Sequence, residues 1–180
     1  MSFFDRHPHC FDSAPPDAVR WVERLLDVGF AVQTAVRDAV CSGRNLAEVV
    51  GLDESANEDS FALDQVADAE VHRTVSAMPR GAEQVRLIGE GVSGEFVQQG
   101  SSGPRDKYVI IIDPVDGTRM LMHNKRSAWF LAGVALDRGD ETTVAEVFAA
   151  VMVELPTIYQ DCGETYAAVH GHGATRMRTE

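Results

Sequence analysis

The hydrophobic pattern of this chain changes period near Gly81, and this change limits the folds open to it more than any other feature. Before Gly81, apolar residues recur every three or four positions, as on one face of an amphipathic helix. The first such stretch opens at Pro15, with Ser13 as a candidate N-cap, and stops at Gly43, while the second covers residues 61–78. The sequence therefore predicts two long helices in the first half of the chain.

Beyond Gly81 the apolar runs are short and have the turn-rich flanks of β-strands. Two helices followed by about five strands, without strict alternation of the two, predict an α+β fold. In this fold both helices would cover one face of a largely antiparallel sheet. The predicted strands are Val85–Ile88, Tyr108–Ile112, Trp129–Leu136, Val147–Val153 and Tyr166–Val169.

Polar segments separate these elements. Residues 45–60 predict a turn of helix followed by a mobile loop, and residues 98–106 and 137–141 have the composition of exposed loops. A chain of 180 residues is long enough for one domain with a substantial core. We expect a flexible N-terminus at residues 1–14 and one domain at residues 15–180.

The charge balance argues against one large class of partners. The chain carries 16 Lys and Arg against 28 Asp and Glu, and its formal net charge of −12 repels nucleic-acid phosphates. The apolar, uncharged stretch at residues 127–136 falls well short of the roughly 18 apolar residues that a membrane span needs. Asp5 and Arg6 stand where a signal peptide needs its apolar segment. We therefore expect a cytoplasmic protein that binds neither nucleic acid nor membranes.

The most informative segment is KYVIIIDPVDGTRMLM at residues 107–122. An apolar strand ends there in Asp113 and Asp116, two carboxylates three residues apart. Pro114 stiffens the turn, so that both carboxylates and the carbonyl of Val115 can be directed toward one position. Oxygen ligands that converge in this way suit a hard divalent cation such as Mg²⁺.

The residues that follow add a candidate phosphate site. Gly117 and Thr118 begin a short helical turn, and its free N–H groups would face the same position as the carboxylates. An ordinary acidic β-turn remains an alternative, because Asp, Pro and Gly are also the residues that such turns prefer. An EF-hand loop starting at Asp113 is excluded, because its sixth and twelfth positions, which need Gly and Glu, hold Thr118 and Asn124.

Two other places on the chain offer further ligands. Glu90 lies between two glycines at the end of a predicted strand, where it is either a third metal ligand or part of a turn. Asp64, Asp68 and His72 follow one another at spacings of four, so that they share one face of the second helix. That face points either toward the metal or toward water.

In this order, the motifs LDQVAD at 63–68, LIGEG at 87–91 and IIDPVDGT at 111–118 resemble the inositol monophosphatase and fructose-1,6-bisphosphatase superfamily of Mg²⁺-dependent, Li⁺-sensitive phosphatases. Residues 127–136 (SAWFLAGVAL) are similar to the strand that follows the last motif in the family. Residues 167–174 (AAVHGHGA) are similar to the family's A-x-x-G-x-G-A turn. The resemblance runs from the first helix to the end of the chain, and it implies the metal-binding N-terminal domain of these enzymes.

The resemblance also implies a role for each matching residue. Gly117 and Thr118 would hold the phosphate, and the Thr118 hydroxyl would help to orient the attacking water. Asp64 would assist the activation of that water, with Asp68 as the alternative in this less secure part of the match. The implied metal ligands are Glu90, Asp113, the Val115 carbonyl and Asp116.

The sequence departs from the family pattern in two ways. Gly91 stands where the inositol phosphatase branch has a second Glu, so the number of metal ions is open. The G-E-G at 89–91 and the G-T-R-M at 117–120 partly match the sugar-bisphosphatase branch, so the branch is open as well. Nothing matches the W-D-x-A-A-G-like element of the family's second domain. We therefore expect that the second domain is absent from this chain, which is either the N-terminal part of a longer enzyme or a truncated product.

By this resemblance, the expected activity is hydrolysis of a polyol or sugar phosphate by metal-activated water. Mg²⁺ is the expected cofactor, Mn²⁺ an alternative and Li⁺ an inhibitor; the expected partner is a small phosphate ester, and a homodimer is left open. His123, Lys125 and Arg126 either recognise the substrate or lie on the solvated surface. The alternative is a module that binds metal or phosphate without turnover, or an inactive fragment of such an enzyme.

Overall fold

The computed structural model describes residues 11–43, 45–53, 58–78, 83–89, 91–97 and 107–179. Glu90, the loop predicted at 98–106 and most of the N-terminal segment predicted at 1–14 lie outside the described residues. Within the described ranges, no helix is both long enough and apolar enough to cross a membrane.

The two predicted helices are confirmed. Helix α1 spans Pro16–Cys41 and helix α2 spans Ala62–Ala77. The predicted N-cap is wrong, because the residue before α1 is Pro15 and no side chain caps the helix. Ser13 instead places its hydroxyl 3.1 Å from Nδ1 of His172. Because Pro16 at the first helical position has no N–H, the helix start has one donor fewer to satisfy.

The remaining elements are short. Helix α3 has four residues, Thr118–Leu121, and two 3₁₀ turns lie at Gly139–Glu141 and Val144–Glu146. The strands are β1 (Val49–Asp53), β2 (Glu58–Phe61), β3 (Gln84–Gly89), β4 (Ser93–Val97), β5 (Lys107–Asp116), β6 (Ala128–Leu136), β7 (Ala149–Leu155), β8 (Gly163–Val169) and β9 (Gly173–Thr179).

Seven strands form one sheet in the order β4-β3-β5-β6-β7-β8-β9. Only the β3–β5 pair is parallel, and every other neighbouring pair in this sheet is antiparallel. Helix α1 packs against β6, β7 and β8, and α2 packs against α1 and β5. The α+β prediction of two long helices on a largely antiparallel sheet is therefore confirmed.

The core lies between the two helices and the sheet. Helix α1 contributes Trp21, Leu25 and Val32, each at most 1% exposed, and the sheet contributes Phe130 and Val153, which are fully buried. At roughly 25 cal/mol per Å² of buried apolar surface, such large side chains supply most of the drive to fold. This packing fixes the orientation of β5 relative to α2, and the site depends on that orientation.

The prediction for residues 45–60 is wrong for the described part of this segment, which leaves out residues 54–57. In place of a turn of helix and a loop, β1 and β2 form a separate two-stranded antiparallel sheet that leads directly into α2. Val49 and Val50 are 55% and 37% exposed, so these two apolar residues of β1 do not mark it as a strand with a buried face. Backbone pairing, which carries no residue signature, holds the two strands together.

Candidate functional site

A cavity of about 260 Å³ opens where β5 ends and α3 begins. Its lining comes from the β2–α2 junction, from Gly91 and from the β5–α3 segment: Ser60, Phe61, Asp64, Asp68, Gly91 and residues 113–120. The described residues to which the sequence assigns a site role all line this cavity: Asp64, Asp113, Val115, Asp116, Gly117 and Thr118. Groups far apart in sequence are thus brought to one place.

An irregularity in β5 brings two carboxylates to the cavity. The sequence predicts that the strand ends before Asp113, but β5 continues to Asp116. Asp113 pairs with Leu131 and Asp116 with Trp129, so three steps along β5 match two steps along β6. Residues three apart face opposite sides of a regular strand, and one extra residue returns them to the same side. This bulge explains why both carboxylates line the cavity.

The turn after β5 depends on a glycine. Gly117 has a φ of +104°, in the left-handed region that side chains with a Cβ rarely adopt. Its carbonyl accepts the N–H groups of Met120 and Leu121 at 3.1 and 3.2 Å, which closes the single turn of α3. Thr118 is the first residue of that turn, so its side chain is placed beside the carboxylates of β5.

Thr118 and Asp64 form the central contact of the site. The Thr118 hydroxyl lies 2.7 Å from Asp64 Oδ1 and 2.9 Å from the Val115 carbonyl oxygen. A hydroxyl donates one hydrogen at a time, and the carboxylate is the stronger acceptor. The other Asp64 oxygen, Oδ2, accepts the N–H of Phe61 at 2.7 Å, so the carboxylate is held from both sides. Asp64 therefore stabilises the start of α2 and also faces the threonine.

The other two residues of the predicted helical face, Asp68 and His72, have different surroundings. Asp68 lines the cavity beside Gly91, whereas His72 is not among the cavity-lining residues and has its ring 5.9 Å from that of Phe96. Between the two candidate carboxylates, only Asp64 has a hydrogen bond to the Thr118 hydroxyl. The geometry thus favours Asp64 over Asp68 as the partner of Thr118.

In the described part of the chain, no three His, Cys, Asp or Glu side chains are arranged to hold a metal ion. Two of the three carboxylates that the resemblance implies, Asp113 and Asp116, share the cavity. The third, Glu90, lies outside the described residues. Convergence of all three on one ion stays a prediction.

Sequence reasoning missed two cavity residues, Phe61 and Arg119. The guanidinium carbon of Arg119 lies 5.7 Å from the centroid of the Phe61 ring. Arg119 follows Thr118 directly in the chain, and this position beside the motif was a usable signal, whereas the predicted basic residues lie further along. Those residues, His123, Lys125 and Arg126, are exposed and do not line the cavity.

Comparison with known proteins gives structural matches only. No protein-family model matches the sequence. No curated protein matches it either.

Three of the solved structures that it matches are described as sugar bisphosphatases or as similar to inositol-1 monophosphatase. The holo form of fructose-1,6-bisphosphatase from Leishmania major is 15% identical with a TM-score of 0.71, over 100% of this chain and 55% of that one. A Toxoplasma gondii protein described as a sedoheptulose-1,7 bisphosphatase is 14% identical with a TM-score of 0.65, over 100% of this chain and 56% of that one.

A Pyrococcus horikoshii protein described as similar to inositol-1 monophosphatase is 14% identical with a TM-score of 0.59, over 88% of this chain and 52% of that one. The chain thus spans about half the length of the solved structures that it matches. It has the fold of these sugar-bisphosphatase and inositol-monophosphatase-like structures, which is the fold that the resemblance of its sequence motifs implies.

Proposed function

We propose that this chain is the metal-binding part of a Mg²⁺-dependent phosphomonoesterase that hydrolyses a polyol or sugar phosphate. The observation that supports this most is the Asp64–Thr118 hydrogen bond in a cavity that is also lined by Asp113 and Asp116. An ordinary acidic turn explains Asp113 and Asp116 alone. It does not explain why Thr118, two residues after Asp116, donates a hydrogen bond to the carboxylate of Asp64 on helix α2.

The donor chemistry of the cavity fits a hard divalent cation. The Asp113 and Asp116 carboxylates and the Val115 carbonyl are oxygen donors of the kind that Mg²⁺ and Mn²⁺ bind, and Glu90 is the further ligand implied by the sequence. A phosphate dianion cannot approach these carboxylates unaided, because each like-charge pair at 4 Å costs about 4 kcal/mol at an effective dielectric of 20. When bound, the cation supplies the opposite charge and makes a bound water more acidic.

The protein residues provide the route for the proton. The Thr118 hydroxyl donates to Asp64 Oδ1, which leaves the lone pairs of the threonine oxygen to accept a hydrogen bond from water. As the water oxygen bonds to phosphorus and the ester P–O bond breaks, the water gives a proton to Thr118 Oγ. The threonine passes its own proton to Asp64, the departing alkoxide oxygen takes a proton from solvent, and Asp64 later returns its proton to solvent. Main-chain N–H groups at Gly117 and Thr118 orient the phosphate.

Metal binding is the first test. Isothermal titration with Mg²⁺ or Mn²⁺ is expected to show binding to the wild-type chain and none to Asp113→Asn. The matched control is Asp140→Asn, which removes an exposed carboxylate outside the cavity and should bind as the wild type does. Equal affinity in a folded Asp113→Asn variant would remove Asp113 from the site.

Turnover is the second test. Phosphate release from inositol phosphates and fructose 1,6-bisphosphate is measured with and without Mg²⁺, on the wild type, Thr118→Val and Thr118→Ser. Serine keeps the hydroxyl that donates to Asp64, so it should retain much of any activity that valine abolishes. Metal binding without release of phosphate from any ester would instead support the non-catalytic alternative.

A further inference from the structure

Arg119 is the cation of the cavity. Among the described residues that line it, Asp64, Asp68, Asp113 and Asp116 are acidic, and Arg119 alone is basic. Its side chain is exposed at the opening, on a helix that is one turn long. Four carboxylates line the same cavity as one arginine, so electrostatics alone would draw the guanidinium onto an acidic side chain.

The arginine is not drawn onto them. Within the described ranges, no carboxylate lies within 4.0 Å of a side-chain nitrogen of Arg119, although other arginines pair at 2.5 to 3.2 Å. Its guanidinium lies over the ring of Phe61 instead, at 5.7 Å. A cation over an aromatic face keeps its N–H groups available, because the ring consumes none of them.

Phe61 ties this contact to the catalytic pair. Its side chain is 8% exposed, so the ring is a fixed surface, and its backbone N–H donates to Asp64 Oδ2. Asp64 in turn accepts from the Thr118 hydroxyl, and Arg119 follows Thr118 in the chain. A single residue thus fixes Asp64 through its backbone and Arg119 through its ring, on the same side of the cavity.

We propose that Arg119 binds the phosphate group of the substrate and the inorganic phosphate that is released, and that Phe61 is the residue that positions it. The inference depends on the proposed function, because it assumes that the anion in the cavity is a phosphate. The acidic residues attract the cation, while Arg119 supplies positive charge to the anion from the protein itself. Its planar, five-donor guanidinium suits a tetrahedral oxyanion.

Inorganic phosphate is the probe. Its binding to the 180-residue chain is measured by isothermal titration at one fixed Mg²⁺ concentration. Arg119→Gln should weaken binding about tenfold, which corresponds to about 1.4 kcal/mol. The matched control is Arg126→Gln, which removes an equal charge from an exposed residue outside the cavity and should leave affinity within about twofold of the wild type. Arg119→Lys keeps the positive charge but loses the planar guanidinium. Its affinity for phosphate should therefore lie between those of Arg119→Gln and the wild type.

The role of Phe61 is tested through its coupling to Arg119. Phe61→Leu should weaken phosphate binding about threefold, while Phe61→Tyr, which keeps a ring, should restore most of it. In an Arg119→Gln background, Phe61→Leu should cause no further loss of affinity for phosphate. A purely structural role for Phe61 predicts the same loss in both backgrounds.

The outcomes separate this inference from the proposed function. If the wild type binds Mg²⁺ and phosphate while Arg119→Gln and Arg126→Gln bind phosphate equally, Arg119 has no such role and the proposed function stands. If the wild type binds neither Mg²⁺ nor phosphate, both proposals are overturned. If phosphate binding weakens in the Arg119 variants and in Phe61→Leu but not in Arg126→Gln, and Mg²⁺ affinity is unchanged, the inference is supported.

Discussion

Carboxylates lie at both ends of the parallel strand pair β3–β5, but the groups that contact them differ between the two ends. Where these strands begin, Glu83 and Asp137 lie against arginines. Arg20 and Arg24 contact the two oxygens of Glu83 at 2.7 and 2.6 Å, and Arg86 holds Asp137 with two hydrogen bonds of 2.8 and 2.7 Å. Charge is matched by charge at this end.

Where β5 finishes, Asp64 and Asp113 accept hydrogen bonds from neutral donors. Asp64 accepts from a backbone N–H and a hydroxyl, and Asp113 accepts from the N–H of Val115. Arg119, the cation beside them, lies over Phe61. The first group of acids thus has charged partners that stabilise the fold, while the second group contains the carboxylates to which we assign a cation in the proposed function.

The largest expected effect is at the arginine-paired end. The Glu83 side chain is 9% exposed, and Glu83→Ala would leave Arg24, which is 12% exposed, without the carboxylate that it contacts. Breaking a buried pair of this kind should cost about 3 kcal/mol of unfolding free energy, measured by denaturant titration.

The control for this measurement is Glu70→Ala. It removes an i,i+3 pair with Arg73, which is 66% exposed, and should cost less than about 1 kcal/mol. Equal losses for the two variants would show that the Glu83 cluster is no more structural than a surface pair.

At the end of β5, removing a carboxylate should leave the unfolding free energy of the metal-free protein almost unchanged. Asp116 is exposed, so metal-free Asp116→Asn should lie within about 0.5 kcal/mol of the wild type. For the wild type, Mg²⁺ at 100 times its dissociation constant should raise the unfolding free energy by about 2.7 kcal/mol. The variant should lose most of this gain in a thermal melt, whereas a full gain in the variant would exclude Asp116 as a ligand.

Much of this fold could be predicted from the sequence, because buried faces of helices and strands give a regular spacing of apolar residues. The α1 stripe and the apolar runs of β5 and β6 face the core, and their elements appear close to the predicted positions. The strands of the seven-stranded sheet that were missed, β4 and β9, are its two edges. An edge strand such as GATRMRT has few buried side chains, so its hydrophobic pattern is weak.

The site could be predicted in its residue types but not in its arrangement. The motif indicated Asp113 and Asp116 as a pair, yet their common orientation depends on a bulge that only the β6 register shows. Asp64 and Asp68 were equivalent on the helical face, and the contact with Thr118, 54 positions away, distinguishes them. Such long-range contacts leave no local signal.

The third prediction concerns the glycine beside Asp68. Gly91 has a φ of +67°, and a Cβ there would lie 2.9 Å from Asp68 Oδ2. Gly91→Ala should therefore cost about 1–2 kcal/mol from the backbone, and also displace the Asp68 carboxylate. Gly171→Ala is the matched control, because Gly171 has a φ of +77° and open space around it. If Mg²⁺ affinity falls in both variants or in neither, the contact with Asp68 has no bearing on the site.

The smallest expected effect is the pH dependence of the Asp137–Arg86 pair. Hydrogen bonds from the Arg86 guanidinium lower the pKa of Asp137 below its usual value. A carboxyl whose pKa is lower in the folded state stabilises the protein above the unfolded pKa of about 3.9, and this contribution is lost as the pH falls through the folded value. Asp137→Asn should thus cost about 1 kcal/mol at pH 7, and the difference from the wild type should vanish in acid. Denaturant titrations at pH 7 and at steps below pH 4 measure this, with Asp140→Asn, an exposed neighbour, as the control. A difference that persists unchanged at the lowest pH would mean that the charge of Asp137 contributes nothing, and that the two ends of the sheet differ less than their contacts indicate.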